Sequence, residues 1–228
     1  MLENVEFIEV HKDPSVKYQN LQQYIDLLRF IHQSPTILAH CLAIADNLQS
    51  IGISPISAKA EQMNQIAQII SAGLYGNSIH GKDVEMMLKL LEKLLELKVE
   101  SCEVPRRLLR LGSSSFAKLY YKFHESSLSS KLFLTAALHE PVMSVLIDDE
   151  VMLDISSDHT ESTAEALYAL SNKFIASLSS NWIIFPSTIR WLVQTMSRLL
   201  QEKACDPKTL NEILIDMVFV HFICPACM

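Results

Sequence analysis

Apolar residues along this chain recur at the three- and four-residue spacing of an amphipathic helix almost from end to end. Leu21, Tyr24, Ile25, Leu28 and Ile31 share one predicted helix face, and Leu38, Cys41, Leu42, Ala45 and Leu48 share the next. Gly52 and Pro55 separate that segment from a third one carrying Met63, Ile66, Ile69 and Ile70. The strongest pattern is Val84, Met87, Leu88, Leu91, Leu94 and Leu95, which predicts a helix entered at Asp83 as its N-cap. Gly76-Asn77 and Gly81 precede it and Pro105 follows, all ordinary helix punctuation.

After a break at 105–115 the helical spacing resumes with Phe116, Leu119, Tyr120 and Phe123, then with a segment from about Ser129 to Ile147 that contains Pro141. Asp148-Asp149-Glu150 and the polar run from Asp154 to Thr163 read as a solvated connection. Ser162 with Glu165 is a capping-box signature for a helix bearing Leu167, Leu170, Phe174 and Leu178. Pro186 suits the first turn of a helix with Ile189, Leu192, Met196 and Leu199. Asp206-Pro207 opens a last one, whose predicted face is Leu210, Leu214, Met217, Val218 and His221. No strand alternation and no repeat of fixed period is present. The expected fold is all-α, an irregular domain of about nine helices with short connections.

Composition narrows the class. The chain has 228 residues with only 5 Gly, too few for the many tight turns of a sandwich or barrel. Its net charge of −7 makes it a poor nucleic-acid binder through bulk charge. No basic and apolar leader stands at the N-terminus, and the stretch Ile213 to Cys227, which contains Asp216 and His221, reads as too short to span a bilayer. The five cysteines are an odd, scattered set, expected to be reduced thiols in a cytoplasmic setting. An apolar face that runs into Ile223-Cys224-Pro225-Ala226-Cys227-Met228 is expected to belong to something longer and to leave an apolar patch near Met217 to Cys227.

Most candidate chemistry fails on ligand count. Cys224-Pro225-Ala226-Cys227 has C-x-x-C spacing, but no second pair completes a zinc site, so two ordinary cysteines and no metal are expected. Phosphate-loop, dinucleotide and nucleophile-elbow motifs are absent, and Gly112-Ser113-Ser114-Ser115 lacks the lysine a phosphate loop needs. One segment stands out. Pro105-Arg106-Arg107-Leu108-Leu109-Arg110-Leu111-Gly112 places three arginines between two predicted helices of an acidic chain. Such a cluster is either a basic surface turn that balances nearby acids or a set of planar, permanently charged forks for phosphate oxygens.

Arg107-Leu108-Leu109-Arg110 resembles the finger loop of Ras GTPase-activating domains, and three further stretches follow in that family's order. Phe133-Leu134-Thr135-Ala136-Ala137-Leu138-His139-Glu140-Pro141 occupies its next long helix. Phe185-Pro186-Ser187-Thr188-Ile189-Arg190 resembles its Pro-Pro-Thr-Leu-Arg helix start, and Phe219-Val220-His221-Phe222-Ile223-Cys224-Pro225-Ala226 resembles its Phe-Leu-Arg-x-x-x-Pro-Ala signature. With Leu74-Tyr75-Gly76-Asn77 and Lys131-Leu132-Phe133-Leu134-Thr135-Ala136, the chain is most similar to the branch of endocytic proteins that join a Ras-GAP domain to a VPS9 domain, which exchanges nucleotide on early-endosomal Rab GTPases.

The resemblance implies a single Ras-GAP-like helical domain over residues 1–228, incomplete at both ends and without the VPS9 part. It implies that the chain activates a Ras-family or endosomal small GTPase in trans and is not itself an enzyme. Arg110 is the implied catalytic arginine, with Leu108, Leu109, Gly112 and His221 as finger-loop support. Arg106, Arg107, Phe133 and Pro225 are the implied GTPase-binding residues. No cofactor is implied, no nucleic acid, and no metal beyond the Mg²⁺ carried by the GTPase. The implied location is cytoplasmic, with peripheral association to endosomal or plasma membrane through partners. His221 stands where the family has arginine, and a neutral imidazole offers fewer donors than a guanidinium. The alternative is therefore a non-catalytic helical binding module for a GTPase or an endocytic adaptor.

Overall fold

A computed structural model describes residues 18–51, 56–102, 114–147 and 160–227. Among these residues there are nine α-helices and no strand: α1 Tyr18–Gln33, α2 Pro35–Ile51, α3 Ile56–Gln68, α4 Gly81–Ser101, α5 Ser115–Ser126, α6 Leu128–Ile147, α7 Thr160–Ser180, α8 Ser187–Glu202 and α9 Pro207–Ile215. The all-α expectation holds. Two stretches are π-helical, Ile69–Leu74 after α3 and Asp216–Ile223 after α9. The chain divides into two compact units, one of residues 1–101 and 113–119, the other of 102–112 and 120–228.

In the first unit α2 lies along α4, and α1 packs on α2. The core comes from one stripe of α4, Met87, Leu90, Leu91, Leu94, Leu95 and Val99, against Ala39 and Leu42 of α2. Phe116 and Leu119 of α5 are buried in the same unit. The chain enters α4 through a left-handed turn, with Gly76, Asn77 and Ser78 at φ of 52°, 55° and 56°. Glycine and asparagine suit that region. Asp83 does not cap α4 as expected. The ladder starts two residues earlier, since the N–H groups of Asp83 and Val84 both donate to the His80 carbonyl at 3.0 Å. The Asp83 carboxylate instead meets His32 of α1 at 2.8 Å.

The second unit is built on aromatic packing. Phe133 of α6 sits edge-on to Phe185 at 5.0 Å between centroids and stacks on Phe222 at 6.1 Å. Ile189, Leu192, Met196 and Leu200 of α8 and Leu210 and Ile213 of α9 are buried in that unit. Asp206 caps α9 by accepting from the N–H groups of Lys208 at 2.9 Å and Thr209 at 3.3 Å, with Pro207 in the first turn, as the sequence predicts. Hydrogen bonding from the Thr209 side chain first, and then from these two N–H groups, holds its carboxyl below the usual range. Two expected helix starts shift. Helix α7 begins at Thr160, upstream of Ser162, and Pro186 lies one residue outside α8, where its carbonyl accepts from the Arg190 N–H at 3.0 Å.

Several predicted faces are corrected. Tyr24 and Leu28 of α1, Cys41 of α2, Ile66 and Ile69 of the third segment, and Leu167 of α7 are exposed. Two helical stretches, Leu128–Ile147 and Pro207–Ala226, match a bilayer span in length and composition only, a match that the core helix of a soluble protein also gives. One side of each builds the core of the second unit, through Phe133, Ala137 and Leu138 in the first and Leu210, Ile213, Met217 and Phe222 in the second.

Candidate functional site

The arginine-rich segment, with Arg106, Arg107, Leu108, Leu109, Arg110 and Gly112, lies outside the described residues, but the helices on either side of it are described. Helix α5 starts at Ser115, with Ser114 before it. A helix start leaves N–H groups without partners inside the helix. Ser114 Oγ accepts from the Ala117 N–H at 3.3 Å, and the carboxylate of Asp46, on α2, accepts from the Ser115 N–H at 3.0 and 3.2 Å. Ser115 Oγ donates to the same carboxylate at 2.8 Å, and Lys98 Nζ, in the last turn of α4, stands 3.5 Å from it. A negative charge at a helix N-terminus is favourable, because the free N–H groups carry partial positive charge there. Asp46, Lys98 and Ser115 line an open groove of about 310 Å³ together with His40, Asn47 and Phe116.

In the second unit the signature segment Phe219 to Ala226 falls on the π-helix and the short 3₁₀ turn Cys224–Cys227. An α-helix would carry the buried stripe from Ile213 to Met217 and on to His221. The wider π turn adds a residue, so the buried position after Met217 passes to Phe222. His221 is therefore half-buried and not on the core face, a correction to the predicted stripe. Leu214, which precedes the π segment, and Val218 are half-buried, while Met217, Phe222 and Ile223 are buried. Within the apolar patch expected near Met217 to Cys227, Phe219, Val220, Cys224 and Ala226 are exposed among the described residues.

Two side chains of α5 bind carbonyls of this π segment. His124 Nε2 donates to the His221 carbonyl at 2.9 Å, and Tyr120 Oη donates to the Met217 carbonyl at 3.4 Å. His124 is 4% exposed, among the rings of Tyr120, Tyr121 and Phe222 at 5.3, 5.2 and 5.3 Å. Burial lowers its pKa to about 4, against the opposing pull of the His221 carbonyl and of Glu125, so its imidazole is neutral at pH 7. Burial also pushes the Tyr120 hydroxyl well above its ordinary range.

Of the expected binding residues, Phe133 is fully buried and presents no surface to a partner. Its ring is a core element, which the motif alone cannot indicate, and α6 is apolar on all sides, so no single face marks it out. Pro225 is half-buried in the 3₁₀ turn. Among the described residues, Cys41, Cys102, Cys205 and Cys224 form no disulfide. Sequence reasoning missed Asp46 and His124. The i, i+4 pairing of Tyr120 with His124 on an aromatic helix face was an available signal for the second. Asp46 has none, because its partner Ser115 is 69 residues away.

A family profile described as GTPase-activator protein for Ras-like GTPase matches residues 154–228, which includes α7 to α9 and the π-helix. Over 243 residues the chain is 37% identical to a receptor-mediated endocytosis protein 6 homolog of Drosophila pseudoobscura pseudoobscura, covering 92% of this chain and 13% of that protein. It is 30% identical over 256 residues to GTPase-activating protein and VPS9 domain-containing protein 1 of Xenopus laevis, covering 99% of this chain and 17% of that protein. The human protein of the same name is 29% identical over 258 residues, covering 99% of the chain and 16% of that protein. The chain thus spans 13% to 17% of the length of these curated relatives. No solved structure matches it. Helical architecture, the matched profile and homology along nearly the whole chain agree: it belongs to the family of GTPase-activator proteins for Ras-like GTPases, in the branch of the endocytic GAP-and-VPS9-domain proteins.

Proposed function

We propose that the chain stimulates GTP hydrolysis by a Ras-like small GTPase, with Arg110 as an arginine finger, as the GTPase-activating part of an endocytic regulator. The observation that carries this reading is its family membership, which gives the arginine cluster a phosphate to meet. As γ-phosphate hydrolysis proceeds, charge develops on the phosphoryl oxygens and at the leaving oxygen. A guanidinium placed there in a water-poor site stabilises that charge more than the ground state. Leu108, Leu109 and Gly112 shape the segment, Arg106 and Arg107 add electrostatic steering, and Pro225 belongs to the GTPase-facing side. The chain supplies a side chain in trans and no cofactor. The nucleotide and its Mg²⁺ come with the partner. Peripheral association with endosomal or plasma membrane through that partner follows from the same reading.

Single-turnover hydrolysis by GTP-loaded Ras-family and early-endosomal Rab GTPases tests it. Arg110→Ala is expected to lower stimulated hydrolysis by roughly 10³-fold or more, and Arg110→Lys not to restore it, because a point charge lacks the planar fork. Full stimulation by both variants would remove Arg110 from the mechanism.

One observation favours a second reading, a helical module that binds a GTPase or an endocytic adaptor without activating it. Residue 221, which is arginine in the family's signature, is histidine here, and its imidazole has fewer donors with which to brace a finger loop. Binding without stimulation in the same assay selects that reading.

A further inference from the structure

We propose that Asp46 is a positioning residue for the arginine segment: one carboxylate ties the last turn of α4 to the first residue of α5, and so fixes both stems between which Arg106, Arg107 and Arg110 lie. This rests on the reading of Arg110 given above. The partners of Asp46 stand on either side of that segment, Lys98 before it at 3.5 Å and Ser115 after it, through its N–H at 3.0 Å and its hydroxyl at 2.8 Å. Both carboxylate oxygens are engaged, so the group is held in one orientation. Ser115 is 1% exposed and Asp46 17%, which limits competition from water.

The choice of residue fits the task. An ionised carboxylate is acceptor-only, and every group aimed at it here is a donor. Asparagine would turn an amide donor toward one of them and would lose the charge that attracts Lys98. A stem clamp matters for a finger because orientation, and not proximity alone, sets the rate of a positioned reaction. Tying the ends of a segment also reduces the set of conformations it samples, which lowers the cost of ordering it against a partner. Asp46 itself lies on α2 and acts only through the stems.

The test uses the full chain and two readouts. The first needs no GTPase: limited trypsin digestion, with cleavage after Arg106, Arg107 and Arg110 followed by mass spectrometry. Asp46→Ala is expected to speed cleavage at these sites about 10-fold, through easier local opening, and to leave cleavage after Lys173 of α7 unchanged. The second is single-turnover hydrolysis with the GTPase that the wild-type chain stimulates best. There the maximal rate is expected to fall about 10-fold while the half-saturating concentration moves less than about 3-fold, and Asp46→Glu is expected to recover part of the rate.

A merely structural loss would move every tryptic site together. Unchanged cleavage at the three arginines in a folded Asp46→Ala chain overturns the proposal whatever the GTPase does. Faster cleavage with a wild-type chain that stimulates no GTPase leaves the clamp standing and refutes the Arg110 reading instead. Faster cleavage with an unchanged maximal rate refutes positioning. If Asp46→Ala does not fold, Lys98→Gln and Ser115→Ala each remove one partner and are each expected to speed cleavage about 3-fold; no change in either overturns the clamp.

Discussion

The start of α5, in the first unit, is fixed by a charged group close to water, whereas its end, in the second unit, is fixed by neutral groups among aromatic rings. Asp46 keeps 17% of its side-chain surface exposed and works through its charge on Ser115 and Lys98. His124 and Tyr120 are almost wholly buried and each donates one neutral hydrogen bond to a carbonyl of the π segment. The two solutions respond to different insults. A carboxylate at a helix start is worth about 0.5–2 kcal/mol and weakens with salt. A packed imidazole is insensitive to salt but sensitive to volume and to acid.

The largest expected effect that separates the two ends is a cavity at the second. Phe222 is fully buried, stacked on Phe133 and edge-on to Phe185 at 5.9 Å and to His124 at 5.3 Å. Phe222→Ala is expected to cost about 3–5 kcal/mol in denaturant unfolding, a large part of a typical domain stability of ~5–15 kcal/mol. A cost below about 1 kcal/mol would mean that the aromatic cluster is not what holds the π segment, and the contrast would fail.

Acid gives the next effect. In the folded chain His124 has a pKa of about 4, below the ordinary 6.5, with burial as the main cause. Between those two values the unfolded chain binds a proton that the folded chain does not. Stability is therefore complete above about pH 6.5 and is lost as pH falls toward 4, by up to ~3 kcal/mol. His124→Gln keeps a donor for the His221 carbonyl without the titration. It is expected to flatten that part of the stability profile, measured as the urea midpoint against pH. An unchanged slope in the variant would place the acid sensitivity elsewhere.

The fold was legible where a helix has one clean face, and less so elsewhere. Phe116, Leu119, Tyr120 and Phe123 were all predicted on the core face of α5, and all are buried. The Asp206-Pro207 helix start was equally readable, because a cap and its N–H partners are neighbours in sequence. Helix α7 misled: of Leu167, Leu170, Phe174 and Leu178, only Leu178 is buried, because spacing reports that a face exists and not what covers it. The π-helix was invisible to a 3.6-residue period, so His221 was placed on a face that belongs to Phe222. For the candidate site, the motifs singled out the arginine segment and the signature at 219–226. They misplaced Phe133 at a surface, and they gave no hint of Asp46, whose role depends on a contact across 69 residues.

The smallest expected effect tests the charged end alone. Lys98 and Asp46 keep 20% and 17% exposure at 3.5 Å, so their attraction is partly screened and is worth less than about 1 kcal/mol. Lys98→Met is expected to speed hydrogen exchange of the Ser115 amide, which donates to Asp46, by no more than about 5-fold. The Ser127 amide, bonded to the Phe123 carbonyl at 3.1 Å just past the other end of α5, is expected to exchange at its wild-type rate. Raising salt from ~0.05 to ~0.5 M shortens the screening length several-fold, so wild-type exchange at Ser115 should move toward that of the variant. The variant itself, with the cation already gone, should respond less. Salt that sped both amides equally would show that α5 opens as a unit, with no separate ionic hold on its start. Salt that left Ser115 unchanged would assign the whole hold to the hydrogen bonds from Ser115, with Lys98 a bystander.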